Sequence, residues 1–292
     1  MRHRREYFRI NKFARRYDRE SGKFTFNIGY ETKTDITDRT VEVAEAFGMG
    51  ISEFQEHVLY DNVELKIGSK DIVYLTGDSG SGKSVLLKAI VGDLKSGEAV
   101  RLSEVKVDPD KPLIDTVGAT VEEGLKLLSK VGLNDAFLFV RRYSQLSDGQ
   151  KYRYRLAKLI ESGAQWWVMD EFCATLDRET AKIVAFNVQK LARKLGKAVI
   201  AATTHTDLFE DMAPSVHVHK RFGREIDVKY YPNRLRERCS LLDEMTVEEG
   251  SYADWKDIAP FHYRSHRVAF LQKIFVLKRG DRVCGAIVYV SP

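Results

Sequence analysis

The chain has 292 residues, of which 43% are hydrophobic and 30% charged; this excludes a disordered chain and allows one large or two small cores. It lacks any apolar run of the roughly 18 to 20 residues that a membrane-spanning helix needs. The N-terminus has no apolar signal-peptide core, and three cysteines without metal-type spacing argue against a disulfide framework. We therefore expect a cytoplasmic protein with no membrane span.

The net charge of +5 lies entirely within residues 1–20, which carry eight Arg or Lys side chains and three acidic ones. Aromatic residues lie between these charges, at Tyr7, Phe8, Phe13 and Tyr17. Such an arm can bind nucleic acid through phosphate contacts and base stacking. Phe8, Ile10 and Phe13 can instead anchor the arm to the protein's own surface, and we favour this second interpretation.

Strands and helices are predicted to alternate along the chain. The first elements are a strand over 24–30 with Phe24, Phe26 and Ile28 on one face, a helix over 38–47, strands over 58–67 and 72–75, and a helix from Lys83. The next are a helix capped by Thr120 and Glu123 with Val121, Leu125 and Leu128 as its apolar positions, and a helix from about Asp148. The last are a buried strand over 166–169, a helix over 178–195 with Ile183, Phe186, Leu191 and Leu195 inward, and a strand over 198–202. This alternation predicts an α/β fold with a mainly parallel sheet and helices on both faces.

We predict three regions in the chain. Residues 1–36 form a basic N-terminal extension with a strand, and residues 37–222 form the α/β domain. Residues 223–292 form an α+β C-terminal segment that ends in a β-hairpin, because two apolar runs flank a turn at Arg279-Gly280-Asp281.

A phosphate-binding motif lies between a predicted strand and a predicted helix. Its residues are Gly77, Asp78, Ser79, Gly80, Ser81, Gly82, Lys83 and Ser84, which match G-x-x-x-x-G-K-[ST], and the nucleotide-binding segment continues to Val85. The glycines let successive backbone N–H groups face one anion, and the helix directs its positive dipole end at it. We expect ATP as the ligand, with Lys83 at its β- and γ-phosphates and Ser84 as a Mg²⁺ ligand.

Two acidic residues follow the buried strand over 166–169. Asp170 at the strand end is expected to hold Mg²⁺, either directly or through a water molecule. Glu171 lies one residue further, where it is expected to polarise the attacking water. The pair therefore predicts ATP hydrolysis.

Three further segments resemble motifs of ABC-type ATPases, which are P-loop NTPases. Leu146-Ser147-Asp148-Gly149-Gln150 resembles the LSGGQ signature, Ala174-Thr175-Leu176-Asp177 resembles the D-loop, and Thr203-Thr204-His205 resembles the switch-histidine loop. Together with the phosphate motif and the acidic pair, these motifs cover roughly residues 55 to 210 in the family's order.

The resemblance implies a head-to-tail homodimer around two ATP molecules. Ser147, Asp148, Gly149 and Gln150 would complete the nucleotide site of a second subunit, and Asp177 would line the dimer seam. His205 would contact the γ-phosphate and take part in catalysis with Lys83 and Glu171. Asp148 replaces a usual glycine, so its charge must point away or be offset by Lys151, Arg153 or Arg155.

Two other family features are altered or unassigned. No glutamine occurs between Ser84 and Ser144, so the Q-loop glutamine is missing, and Asp108 or Asp110 is the candidate substitute. The aromatic residue that stacks on adenine is predicted to be Phe47 or Phe54, with Tyr60 a weaker candidate.

The C-terminal segment resembles the start of the acetyltransferase-like region that is fused to some soluble ABC-type ATPases, through residues 261–267 and 285–290. The resemblance stops before any acyl-CoA pyrophosphate loop, so complete acyl transfer is not expected. His262 and His266 lie four residues apart but have no third ligand, so we do not predict a metal site there.

Three functions follow from these patterns. The first is a soluble ATPase with a non-transport mechanical role, or one associated with nucleic acid through residues 1–20. The alternative is the ATPase subunit of an ABC transporter with a separate membrane partner, ranked second because its Q-loop is atypical. The third is an acyl-CoA-related function of the C-terminal segment.

Overall fold

The computed structural model describes residues 8–33, 35–51, 54–261 and 271–290. The chain divides into two compact units, Met1–Arg236 and Glu237–Pro292. The first seven residues of the basic arm, and the pair His262 and His266, lie outside the described residues.

The larger unit contains nine strands and seven α-helices within the described ranges. Its strands are β1 (Phe8–Asp18), β2 (Lys23–Lys33), β3 (Phe54–Lys66), β4 (Ile72–Gly77), β5 (Ala99–Arg101), β6 (Trp166–Met169), β7 (Ala198–Ala202), β8 (Val216–Lys220) and β9 (Ile226–Tyr230). Its helices are α1 (Asp38–Phe47), α2 (Lys83–Asp93), α3 (Val121–Lys130), α4 (Ala136–Phe139), α5 (Asp148–Glu161), α6 (Arg178–Leu195) and α7 (Phe209–Met212).

A six-stranded sheet with the order β5-β6-β7-β4-β8-β9 forms the centre of this unit. All its pairings are parallel except that of β8 with β9. Every residue of β4, β6 and β7 is buried, because Val73 and Leu75 pack into the apolar cluster around α2 while Tyr74 packs into the cluster on the opposite face. The mainly parallel sheet with helices on both faces is the predicted α/β fold.

An antiparallel sheet of β1, β2 and β3 packs beside α2. Phe24, Phe26 and Ile28 are fully buried on one face of β2, as predicted. Residues 8–18 of the basic arm form β1 along β2, a strand that the sequence did not predict.

Two of the four positions predicted inward on α6 are wrong, because Ile183 and Leu195 are 41% and 49% exposed. The predicted apolar position Val121 is 65% exposed. The buried face of α6 instead follows small residues at helical spacing, Ala181, Val184, Ala185 and Val188, which places Ile183 at its edge and Leu195 in the last turn. Val121 is the first residue of α3 and projects beyond the packed face.

The smaller unit contains β10 (Met245–Glu249), α8 (Tyr252–Ile258), β11 (Leu271–Arg279) and β12 (Arg282–Val290). The strands form an antiparallel sheet, and β11 and β12 are the predicted hairpin. Its core consists of Trp255, Ala259, Ile274 and Val276. In the larger unit β9 hydrogen-bonds to β8, so the central sheet continues to Tyr230, beyond the predicted boundary at 222.

None of the helices in the described ranges combines the length and the apolar character that crossing a bilayer requires.

Candidate active site

The phosphate motif forms the loop between β4 and α2. Gly77, Gly80 and Gly82 have φ angles of 141°, 77° and 100°, which favour glycine. A Cβ atom on Gly77 would lie 1.9 Å from the carbonyl oxygen of Lys220, so the end of β8 approaches the loop too closely for any side chain. The sequence therefore folds here into a narrow turn that leads directly into α2.

The Lys83 side chain folds back over this loop and is only 8% exposed. Its ammonium donates to the carbonyl oxygens of Gly77 at 2.8 Å and Asp78 at 2.6 Å. Burial lowers the pKa of Lys83, while the negative charges of Asp170 and Asp78 oppose that shift. A cation held in this position can transfer its hydrogen bonds to phosphate oxygens without leaving the loop.

A cavity of about 570 Å³ joins the phosphate loop to the ends of β6 and β7. Its lining consists of Ser79, Gly80, Gly82, Lys83, Ser84, Val85, Asp170, Glu171, Ala174, Ala202, Thr203 and Thr204. His205 follows Thr204 but is not part of this lining; it is half-buried, and its backbone N–H donates to the Thr203 hydroxyl at 3.2 Å. The structure thus brings the predicted phosphate loop together with two carboxylates around one cavity. These are Asp170, the predicted metal ligand, and Glu171, the predicted catalytic residue.

Glu171 has a left-handed backbone with φ 52°, and Cys173 has φ 58°, both rare for residues with side chains. Two hydrogen bonds hold this turn, from the Phe172 N–H to the Ala202 carbonyl at 2.7 Å and from the Cys173 N–H to the Tyr152 hydroxyl at 3.0 Å. Burial raises the pKa of Tyr152 well above its usual range, so its hydroxyl stays protonated. The two hydrogen bonds thus hold Glu171, which lines the cavity, in an uncommon backbone conformation.

The residues that line the phosphate cavity fit a nucleoside triphosphate. The Ser81 hydroxyl oxygen is buried and has no hydrogen-bond partner among the described residues, so it is an orphaned polar atom in the phosphate loop. Ser84 and Asp170 both line this cavity and supply oxygen atoms of the kind that Mg²⁺ prefers.

The signature segment forms the beginning of α5. The Ser147 hydroxyl accepts from the Gln150 N–H at 3.4 Å, and the Gln150 side chain accepts from the Ser147 N–H at 3.0 Å. Asp148 is 88% exposed and its carboxylate lies 3.8 Å from the Lys151 ammonium. A Cβ atom on Gly149 would lie 3.3 Å from Leu176, so the signature packs closely on the D-loop.

Of the three basic residues predicted to offset Asp148, only Lys151 is paired with it. Arg153 donates to the Gly132 carbonyl at 2.7 Å, and the Arg155 guanidinium lies 5.8 Å from the centre of the Tyr143 ring.

An ion pair connects the residue after the D-loop with the segment after the switch-histidine loop. Asp177 caps α6 by accepting from the Thr180 N–H at 2.9 Å, and these hydrogen bonds lower its pKa. The next residue, Arg178, donates two hydrogen bonds to the Asp207 carboxylate, one of them at 2.9 Å. Burial alone would raise the pKa of Asp207, but the Arg178 hydrogen bond and charge lower it overall. The loops after β6 and β7 are therefore held together within one chain.

Comparison with known proteins decides the family. The family model described as "ABC transporter" matches residues 60–174. The cytochrome c biogenesis ATP-binding export protein CcmA of Gluconobacter oxydans is 31% identical over 169 residues, which cover 52% of this chain and 77% of that protein. The chain belongs to the ABC transporter ATPase family. As a member, it binds and hydrolyses ATP.

Other relatives agree with this family. The zinc import ATP-binding protein ZnuC of Ruegeria pomeroyi is 30% identical over 193 residues, covering 60% of this chain and 73% of that protein. A solved dimeric ATP-binding cassette, bound to ADP and phosphate after hydrolysis, has a TM-score of 0.50 and 19% identity, and covers 62% of this chain and 94% of that chain. This structural likeness confirms the ABC ATPase fold.

Asp108 and Asp110, the candidate substitutes for the Q-loop glutamine, lie on the segment that follows β5. A second cavity, of about 370 Å³, lies on the other side of Asp170 and Glu171, and Leu102 and Ser103 line it. They follow β5, which pairs with β6 and so ends beside Asp170. Asp108 and Asp110 line neither cavity; Asp108 instead accepts from the Asp110 N–H at 3.1 Å.

The three aromatic candidates for adenine stacking have different positions. Phe47 is 77% exposed at the end of α1, and the Phe54 side chain lies outside the described residues. Tyr60 is fully buried, and its hydroxyl donates to the Gly82 carbonyl at 2.9 Å, so it supports the phosphate loop from below.

Proposed function

We propose that this chain is the ATP-hydrolysing subunit of an ABC transporter and works with a separate membrane partner. The similar proteins named above are ATP-binding proteins of import and export systems, which favours the transport alternative over the non-transport role. The structural observation that carries the proposal is an exposed apolar surface at the C-terminal end of α4.

This docking surface consists of Phe137 and Val140, which are 65% and 66% exposed, with Arg141 beside them. Two neighbouring large apolar side chains in water favour coverage by a partner, and the arginine favours an acidic group within it. We propose that a short amphipathic helix of the membrane subunit binds here.

A continuous backbone path leads from this surface towards the catalytic carboxylates. The Leu113 N–H donates to the Arg141 carbonyl at 2.9 Å, and the Ser144 N–H donates to the Pro109 carbonyl at 3.2 Å. The segment that contains Pro109 and Leu113 begins after β5, at Ser103, which lines the cavity beside Glu171. Movement of the docked helix would thus reach Glu171 through the segment that follows β5.

In the proposed cycle, two chains bind two ATP molecules head to tail. Lys83 and the loop N–H groups bind the phosphates, and Ser84 and Asp170 hold Mg²⁺, which neutralises phosphate charge when bound. Glu171 orients the attacking water and accepts hydrogen bonding from it, and Ser147 of the opposite chain faces the γ-phosphate. Hydrolysis then separates the two chains and moves the membrane partner.

Fractionation of cells that produce the full chain tests the membrane partner. The wild-type chain should sediment with membranes, whereas Phe137→Glu combined with Val140→Glu should move it to the supernatant without changing its ATP affinity. Phe261→Glu is the matched control, because Phe261 is 84% exposed in the smaller unit. Wild-type chain in the supernatant, or in a nuclease-sensitive pellet, would contradict the proposal and favour the nucleic-acid role.

A further inference from the structure

A third cavity, of about 420 Å³, meets the phosphate loop on the side of β8. Its lining consists of Tyr30, His57, Val58, Leu59, Gly80, Ser81, Phe222, Gly223 and Arg224. It shares Gly80 with the phosphate cavity, so a ligand that lies in one can continue into the other. The orphaned Ser81 hydroxyl belongs to a residue of this lining.

The walls of this cavity are aromatic. Phe222 is 62% exposed, and the edge of its ring lies 4.0 Å from the Cβ position of Gly80. On the opposite strands the rings of Tyr30 and His57 stack with centroids 4.9 Å apart. Flat apolar faces beside a phosphate loop are suited to a flat aromatic ring attached to a phosphate chain.

The turn that carries Phe222 is fixed by a buried lysine. Lys220 is fully buried, and its ammonium donates to the carbonyls of Arg221 at 2.7 Å and Gly223 at 2.5 Å. These carbonyl groups compensate for the loss of water around the charge, which is otherwise costly. The ammonium therefore holds the backbone on both sides of Phe222.

The same lysine connects the turn to the phosphate loop. Its ammonium lies 5.3 Å from the centre of the Tyr60 ring, and the Tyr60 hydroxyl donates to Gly82. Its carbonyl oxygen is the atom that leaves no room for a side chain at Gly77. The turn and the phosphate loop are thus held in one fixed relation.

We propose that the turn between β8 and β9 binds the purine base of ATP, with Phe222 as its aromatic contact and Lys220 as the residue that positions the turn. This segment lies outside the residues matched by the family model and differs from the aromatic residues that the sequence suggested. The proposal rests on ATP binding and not on the transport role, so its failure leaves the membrane partner untouched.

Calorimetry of the full chain with Mg-ATP and with inorganic tripolyphosphate separates base binding from phosphate binding. Phe222→Ala should weaken ATP binding roughly tenfold, the typical effect of losing one base–aromatic stack, and leave tripolyphosphate affinity unchanged. Phe222→Tyr should restore ATP affinity. The matched control is Phe261→Ala, which removes another exposed phenylalanine and should change neither affinity. An unchanged ratio of the two affinities in Phe222→Ala, or an equal fall of that ratio in Phe261→Ala, would overturn the base contact.

Lys220→Met tests the positioning role. It should lower the ratio of ATP to tripolyphosphate affinity as Phe222→Ala does, and the double variant should show no further loss, because both changes act on one contact. If Lys220→Met does not fold, Lys220→Gln, which keeps an N–H donor, serves for the same comparison. The positioning role would be overturned if Lys220→Met lost affinity for ATP and for tripolyphosphate equally. It would also be overturned if the double variant showed the sum of the two single losses in ATP affinity.

Discussion

The ammonium group of Lys83 is bound to two carbonyl oxygens of its own loop, so one side chain both shapes the loop and faces the phosphate cavity. Lys83→Ala removes the cation and these hydrogen bonds. We expect ATP affinity to fall by roughly tenfold or more, since a hydrogen bond to a charged group contributes about 1.5–3 kcal/mol. Titration calorimetry measures the loss. Lys88→Ala, on the exposed side of α2, is the control and should bind ATP as the wild type does.

Thr76 lies just before the phosphate loop and its hydroxyl lies 2.8 Å from His217 and 2.9 Å from His219. Burial among Tyr74 and Phe209, with smaller effects of His219 and Lys229, lowers the pKa of His217 from 6.5 to about 4. In the unfolded chain His217 takes up a proton near pH 6.5 while in the folded chain it stays neutral. Stability is therefore lost as pH falls from about 6.5 to about 4 and changes no further below that range.

Urea unfolding at several pH values tests this assignment. The wild-type chain should lose about 1–2 kcal/mol between pH 7 and pH 4 from this group, a value reduced for the partial exposure of the ring. His217→Gln cannot titrate and should have a correspondingly flatter pH profile. Equal slopes in both proteins would show that His217 is not the titrating group.

Prediction at the scale of residues is possible where a motif consists of neighbours in sequence. Gly77 to Ser84 and the pair Asp170 and Glu171 were recognisable because each motif is local, and the structure gathers them at one cavity. Lys220 and Phe222 were not recognisable, because their contacts with Tyr60 and Gly80 join residues more than a hundred positions apart.

At the scale of elements, the fit between β8 and the phosphate loop limits what Gly77 can be. Gly77→Ala places a methyl group 1.9 Å from the Lys220 carbonyl oxygen, at a φ that already disfavours side chains. We expect the free energy of unfolding to fall by about 1–3 kcal/mol, as for other overpacked sites.

Thermal and urea unfolding measure this change. The control is Gly97→Ala, because Gly97 also has a positive φ but no heavy atom within 4 Å of its Cβ position. Gly97→Ala therefore reports backbone strain alone. If both variants lose equal stability, the close approach of β8 has no separate cost.

A helix with a capping residue at each end was predicted with its observed bounds. Short or highly charged strands were not predicted from the sequence. Asp177 caps α6 and Gly196 ends it in a left-handed conformation, so both ends were readable. The strand β1 is rich in charge and β5 has only three residues, and each is a strand because a neighbour offers hydrogen bonds. On α6 the predicted inward residues Phe186 and Leu191 are buried, whereas Ile183 is exposed because smaller residues form the closely packed face beside it.

At the scale of the whole molecule, Ser147 of the signature does not line the phosphate cavity of its own chain. It caps the N-terminus of α5 and lines neither cavity beside Glu171, although its hydroxyl and the helix N-terminus are suited to an anion. A second chain that supplies ATP would bring a phosphate group to this helix end. Two complete nucleotide sites would then form only in the dimer, and ATP hydrolysis would determine how long the dimer lasts.

Light scattering of Glu171→Gln tests this two-site account most directly, because the variant keeps the phosphate loop and loses only the carboxylate that orients water. With Mg-ATP the mass should double from the 33.4 kDa of one chain, and it should return to one chain with ADP. Adding Lys83→Ala to this variant should prevent the doubling, since the dimer needs bound ATP. A mass of one chain for Glu171→Gln at saturating Mg-ATP would contradict the head-to-tail dimer.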